Sequence, residues 1–328
     1  EEHFADKNFH WPESLQYVDI PGADGMALKT IVVGPPAAES KGVMLFLHGF
    51  PETAASWKGY ILHYAAEGYH VLAPDTRNVN NSIGENAALT LELLSDDVLA
   101  LLKFTGQEKA VVVGHDWGAM MSWIFALRYP ARTKALVVMA VPHPELYRAY
   151  NLARLPFSLK DVWYFLFFGL GGHIARWRAA KDDFGWFMWF TLGSSGPKTY
   201  SKAEVARLKE VYARTIVSDT HSPLTSYYWL GNVWLLKSLL PPAVLGPGTV
   251  NSIWTDGQSP SVVPTLQLYG SGDLYVSAGM VGWSMDSAYV SHPMKRTVIY
   301  DASHWLNIEK SAEIMQEVDA FMQRLPPA

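Results

Sequence analysis

The chain has 328 residues, of which 49% are hydrophobic and 17% charged, enough apolar material for one large core and a smaller subdomain. The absence of cysteine excludes disulfides, thiolate metal sites and thiol nucleophiles. A net charge of -5 offers no electrostatic reason to bind nucleic acid, and the longest apolar run, Val162 to Gly172, is too short to span a bilayer.

The chain opens on Glu1-Glu2 without Met, so a removed leader and a trimmed segment are both open readings. A cytoplasmic location is expected, with a secreted or periplasmic one as the alternative. Leu15 to Ile20 and Met26 to Val33 read as two strands around the turn signal Pro21-Gly22-Ala23-Asp24-Gly25. Val43 to Leu47 is a continuous apolar run, the pattern of a strand covered on both faces. Tyr69 to Ala73, Ala110 to Val113, Ala135 to Ala140, Thr265 to Tyr269 and Arg296 to Tyr300 repeat it. Helical stretches lie between several of them. In one, Leu91, Leu94, Val98 and Leu101 recur at three- and four-residue steps. Alternating strands and helices predict an α/β fold with a mainly parallel sheet and helices on both faces. The strand ends, and so the ligand site, then fall on one edge of the sheet.

The alternation stops between about Pro144 and Leu245. Rings dominate here: Trp163, Tyr164, Phe165, Phe167 and Phe168, then Trp186, Phe187, Trp189 and Phe190. They read equally as core and as the wall of an aromatic pocket. From Lys202 to Thr215, Val205, Leu208 and Tyr212 recur at helical spacing among charges, which predicts a half-exposed helix. The reading is an inserted helical cap, 144–244, on a core made of 1–143 and 245–328.

The strongest local signal is Gly114-His115-Asp116-Trp117-Gly118-Ala119, after the apolar Val111-Val112-Val113. A buried strand running into Gly-x-Asp-x-Gly and then a helix is the setting of a nucleophile elbow, with Asp116 where esterases carry serine. Bulky side chains at Gly114 and Gly118 would clash with neighbouring backbone in so tight a turn. The following helix N-terminus favours the anionic carboxylate. The competing reading is an Asp that caps a helix.

His48-Gly49-Phe50-Pro51 directly follows the strand Val43 to Leu47. A loop there can aim the backbone N–H of Phe50 above Asp116. With the N–H of Trp117 it would form an oxyanion hole. His48 reads as a structural hydrogen-bonder rather than a base. Asp273 follows the strand ending at Tyr269, and His304 follows the last strand. Nucleophile, acid and base in the order Asp116, Asp273, His304 is the hydrolase order. No Gly-x-Ser-x-Gly competes with it.

These motifs, with Ser303-His304-Trp305 and Val141-Pro142-His143-Pro144, resemble the epoxide hydrolase and dehalogenase branch of the α/β-hydrolases over nearly the whole chain. The resemblance implies that Asp116 attacks carbon to form an alkyl-enzyme ester. His304, oriented by Asp273, then activates the water that hydrolyses it. It also implies cap tyrosines that polarise an epoxide oxygen. The first, in Trp163-Tyr164-Phe165-Leu166-Phe167, is Tyr164. The second falls in Tyr227-Tyr228-Trp229, with Tyr228 favoured over Tyr227 although the family's following Arg is missing. His48, Pro51, Phe167 and Trp305 are expected around the substrate. The family loop Arg-Gly-x-Gly-x-Ser reads Arg77-Asn78-Val79-Asn80-Asn81-Ser82 here; Asn tolerates left-handed backbone next best after Gly, so the loop shape is expected to survive.

The leaving group separates the substrates this scheme can serve. An epoxide leaves a strongly basic alkoxide, which needs acidic donors such as tyrosine O–H. A halide needs soft N–H donors, and Phe50 stands where haloalkane dehalogenases usually present one. The leading expectation is an epoxide hydrolase that turns a small apolar epoxide and water into a vicinal diol. It needs no metal or organic cofactor, no nucleic acid and no membrane span, and works as a monomer or homodimer. A haloalkane or haloacid dehalogenase on the same triad is the alternative. A non-catalytic small-molecule receptor is a third.

Overall fold

The computed structural model describes residues 15, 17–80, 82, 89–154, 159–170, 172–193, 195, 199–217, 222, 263–286 and 294–325. Eight strands form one sheet: β1 (Tyr17–Pro21), β2 (Ala27–Val33), β3 (Val43–Leu47), β4 (His70–Pro74), β5 (Ala110–His115), β6 (Thr133–Met139), β7 (Thr265–Gly270) and β8 (Met294–Ile299). Their order is β1-β2-β4-β3-β5-β6-β7-β8. The first two pairings are antiparallel and the rest parallel.

The central strands are apolar on both sides because both faces are covered. In β3, Val43, Leu45 and Leu47 join one core while Met44 and Phe46 join the other. The first core is closed by α2 (Leu91–Phe104) and α3 (Trp117–Arg128), the second by α1 (Lys58–Ala66) and a C-terminal helix, Ser311–Met322. β5 runs two residues beyond the apolar run, into Gly114 and His115. Ladder pairing of Gly114 with Leu47 and of His115 with Met139 is a backbone matter and needs no apolar side chain.

Between β6 and β7 the described residues form α4 (Pro144–Ala153), α5 (Leu159–Leu170), α6 (Gly172–Ala180), α7 (Gly185–Leu192) and α8 (Lys202–Thr215). Helix α8 starts at a capping box, with Ser201 accepting from the Glu204 N–H and Glu204 accepting from the Ser201 N–H. Residues 223–262, which include Tyr227, Tyr228 and the expected boundary near 244, lie outside the described residues. After β7 come α9 (Ala278–Asp286), α10 (Leu306–Glu309) and α11 (Ser311–Met322). No helix among the described residues is long and apolar enough to cross a membrane.

The chain leaves β3 for β4 on one side and returns to β5 on the other. The loops after β3 and β5 therefore diverge at the sheet's carboxyl edge, the place where such a sheet leaves a crevice.

Candidate active site

Asp116 sits between β5 and α3 with φ 51 and ψ -119, a left-handed conformation that a non-glycine residue adopts only under constraint. The constraint is close packing. A Cβ on Gly114 would lie 2.3 Å from the carbonyl oxygen of Gly118, and one on Gly118 would lie 1.9 Å from that of Leu47. A Cβ on Gly49 would lie 2.5 Å from the Cβ of Asp116. Asp116 makes no cap bond to its own helix. Its Oδ1 instead accepts the Phe50 N–H at 2.9 Å, and its Oδ2 lies 3.4 Å from Nε2 of His304.

His304 is buried in the loop after β8. Its Nδ1 donates to Oδ2 of Asp273 at 2.9 Å. The other oxygen of Asp273 accepts the backbone N–H groups of Tyr275 (2.8 Å) and Val276 (2.9 Å). Burial opposes a charge on His304, but Asp273 and Asp116 at its two nitrogens push its pKa up to about 10. Burial likewise works against the Asp116 carboxylate, but His304, His115 and the Phe50 N–H hold its pKa below the usual range. Asp116 keeps 21% of its side chain exposed, toward a cavity.

Phe50, Trp117, Phe190 and Trp305 supply the ring wall of this cavity. Asp116, His304, Tyr164, Tyr275 and Thr191 supply its polar groups. Core loops thus face residues from α5 and α7 across one space. Among the described residues no group of His, Asp and Glu is placed to hold a metal.

A family model described as the alpha/beta hydrolase fold matches residues 42–179. The epoxide hydrolase VrEH1 of Vigna radiata superposes with a TM-score of 0.75 over 95% of this chain and 99% of its own, at 24% identity. The chain has the α/β-hydrolase fold. Among curated relatives of this chain, human epoxide hydrolase 4 is 26% identical over 291 residues, 86% of this chain and 73% of the relative. Epoxide hydrolase 3 of Xenopus tropicalis is 29% identical over 288 residues, 86% of this chain and 71% of the relative.

Of the site residues expected from the sequence, Asp116, Asp273, His304, Phe50, Trp117, Tyr164 and Trp305 come together. Three expected around the substrate do not line the cavity. His48 is turned away: its Nδ1 donates to the Gly49 carbonyl (2.8 Å) and its Nε2 accepts the Thr76 N–H (2.9 Å). Burial keeps that ring neutral, with its pKa lowered. Pro51 is buried beside it, behind Phe50 in the chain. Phe167 packs against Trp163, Phe168 and Trp186, because the inward face of α5 runs through Tyr164 and Phe168, one helical turn apart. In the Arg77 loop, Asn78 (φ 65) and Asn80 (φ 48) take left-handed backbone, so Asn does stand in for Gly.

Sequence reasoning passed over Tyr275 and Thr191, and named Phe190 only among the rings that read equally as core and as pocket wall. It also passed over a buried group under the site. Glu52 accepts from His115 Nδ1 (2.7 Å), the Gly49 N–H (3.1 Å) and Asn307 Nδ2 (2.9 Å), and His115 Nε2 donates to the His304 carbonyl (2.8 Å). Burial opposes the Glu52 charge, but His115 overrides it and keeps the carboxylate ionised. Both His115 nitrogens face oxygen atoms, one of Glu52 and one of the His304 backbone. The signal in the sequence was slight: a Glu directly after His48-Gly49-Phe50-Pro51 and a Tyr two residues after Asp273.

Proposed function

We propose that this chain is an epoxide hydrolase that adds water to an apolar epoxide through a covalent ester on Asp116. Residues 144–244 are read as a cap over the core 1–143 and 245–328, since Tyr164, Phe190 and Thr191 face Asp116 across the cavity. The observation that carries the reading is the position of the Asp116 carboxylate, held by the Phe50 N–H and His304 yet open to a ring-lined cavity that contains a tyrosine. Likeness over 86% of the chain to proteins named epoxide hydrolases supports the substrate class.

In the first step a carboxylate oxygen of Asp116 attacks an epoxide carbon and the ring C–O bond breaks. The oxygen set free takes a proton from the O–H of Tyr164, aided by the second tyrosine expected at Tyr228 or Tyr227. Esterification removes the Asp116 charge that helps hold His304 protonated. His304 therefore gives up its proton, which replaces the one lost from Tyr164, and becomes a base at the stage that needs one. In the second step His304 takes a proton from water, whose oxygen attacks the ester carbonyl. The Phe50 and Trp117 N–H groups hold the oxyanion. Collapse releases the diol and restores the Asp116 carboxylate beside a protonated His304. Asp273 stabilises that imidazolium throughout.

The indole N–H of Trp305 is committed to the Thr191 carbonyl at 3.0 Å, so it does not serve as a halide donor. Epoxides and haloalkanes assayed side by side, for diol and for halide, test the proposal. Diol without halide is expected; halide release with no diol would transfer the reading to a dehalogenase.

A further inference from the structure

The C-terminal end of α7 is capped by residues that do not belong to it. The last carbonyls of a helix have no N–H ahead of them within the helix and need other donors. At the end of α7 the Trp189 carbonyl accepts the Gly193 N–H (2.9 Å) and the Leu192 carbonyl accepts the Ser195 N–H (2.9 Å). The two between them look elsewhere. The Phe190 carbonyl accepts the Tyr275 O–H, and the Thr191 carbonyl accepts the Trp305 indole N–H (3.0 Å) and, more weakly, Tyr275 (3.3 Å). Both donors come from the loops that carry the triad. Tyr275 is two residues after Asp273, and Trp305 follows His304.

Tyr275 packs on Tyr164 and Phe190 and also reaches both members of the Asp273–His304 pair. Its N–H holds Oδ1 of Asp273 at 2.8 Å, and its ring meets the His304 ring edge-on with centroids 4.8 Å apart. One residue therefore touches the acid, the base and the helix whose Phe190 lines the cavity. Its O–H is spent on α7, so it does not point at a reacting oxygen. Burial, reinforced by the charges of Asp116 and Asp273, raises its pKa and keeps it a donor.

We infer that Tyr275 is a positioning residue that joins the docking of α7 to the geometry of the Asp273–His304 pair. Movement of α7 away from the cavity breaks the Tyr275 bond and frees the ring that packs on His304. The base is then held in place only while the helix is docked. The catalytic half of this inference rests on the proposed ester mechanism; the docking half does not.

Tyr275→Phe in the full chain tests both, because it keeps the ring and the N–H and removes only the O–H. Amide hydrogen exchange across residues 185–195 is expected to rise about tenfold, the worth of one net hydrogen bond, while α3 stays protected. With styrene oxide in single-turnover mode, ester formation is expected to stay within about twofold, since it needs no base, and ester hydrolysis to slow about tenfold. Trp305→Phe removes the other donor and is expected to raise exchange in the same helix. Unchanged exchange in both variants would overturn the docking. Equal effects on the two steps, or none on either, would overturn the link to His304. A wild-type protein that forms no ester with an epoxide would end the catalytic reading, and exchange would still decide the docking.

Discussion

Oε2 of Glu52 lies 2.7 Å from Nδ1 of His115, and both side chains are all but closed to solvent. The pair ties three loops together: Gly49 of the Phe50 loop, the strand end that leads into Asp116, and the His304 loop through the His304 carbonyl and Asn307. Glu52→Ala leaves His115 Nδ1, the Gly49 N–H and the Asn307 side-chain amide without their acceptor. A loss of about 3–5 kcal/mol in unfolding free energy is expected, read by urea denaturation, as for several buried polar groups left unsatisfied together. Glu52→Gln, which keeps the shape, should lose less. An Ala variant as stable as wild type would remove the pair's assigned role.

Asp116→Ala is expected to abolish turnover and to leave thermal unfolding within a few degrees of wild type. Its side chain already faces a cavity, so truncation admits water instead of emptying a packed core. Normal melting with near-normal activity would exclude Asp116 as the nucleophile.

Tyr164→Phe removes the O–H to which the proposed mechanism gives the developing negative charge. By analogy with oxyanion-hole deletions, ester formation is expected to slow by about 10²–10³-fold, with ester hydrolysis little changed. Tyr228→Phe should match it and Tyr227→Phe should be silent. The reverse pattern would move the second donor to Tyr227. Rapid-quench measurement of the two steps distinguishes these outcomes.

His304→Gln is expected to react once and stop. Ring opening proceeds without a base, whereas a neutral water attacks the ester slowly. Intact-mass measurement should show an addition equal to the whole substrate mass for an epoxide, or to the substrate less hydrogen halide for a haloalkane. Sustained turnover by this variant would contradict the role given to His304.

The raised pKa of His304 also has a sign in stability. The folded state binds this proton more tightly than the unfolded chain, where histidine titrates near ~6.5. The contribution is fully present below about 6.5 and is lost as pH rises through about 10. The stability advantage of wild type over His304→Gln should therefore shrink steadily from pH 6.5 to pH 10. A difference that is flat with pH would mean that His304 is not held protonated by Asp273 and Asp116.

Much of this protein was readable along the chain. β3 falls on the apolar run Val43–Leu47, and α8 on the periodic stretch Lys202–Thr215. Strands covered on both faces and half-exposed helices leave marks a few residues long, because burial of neighbouring side chains is a local property. The elbow was readable for the same reason: two glycines and a carboxylate within five positions describe a steric problem and its solution. The orientation of side chains was not. Phe167 and Tyr164 are three residues apart on one helix, yet packing turned only the second toward the cavity. Nor were the bonds that assemble the site. Glu52 and Asn307 are 255 residues apart, and Tyr275 and Phe190 are 85 apart. A hydrogen bond between two loops leaves no periodicity in either. Its partners meet only because parallel crossovers bring the ends of β3, β5, β7 and β8 to one edge, where buried polar groups must find each other or go unsatisfied.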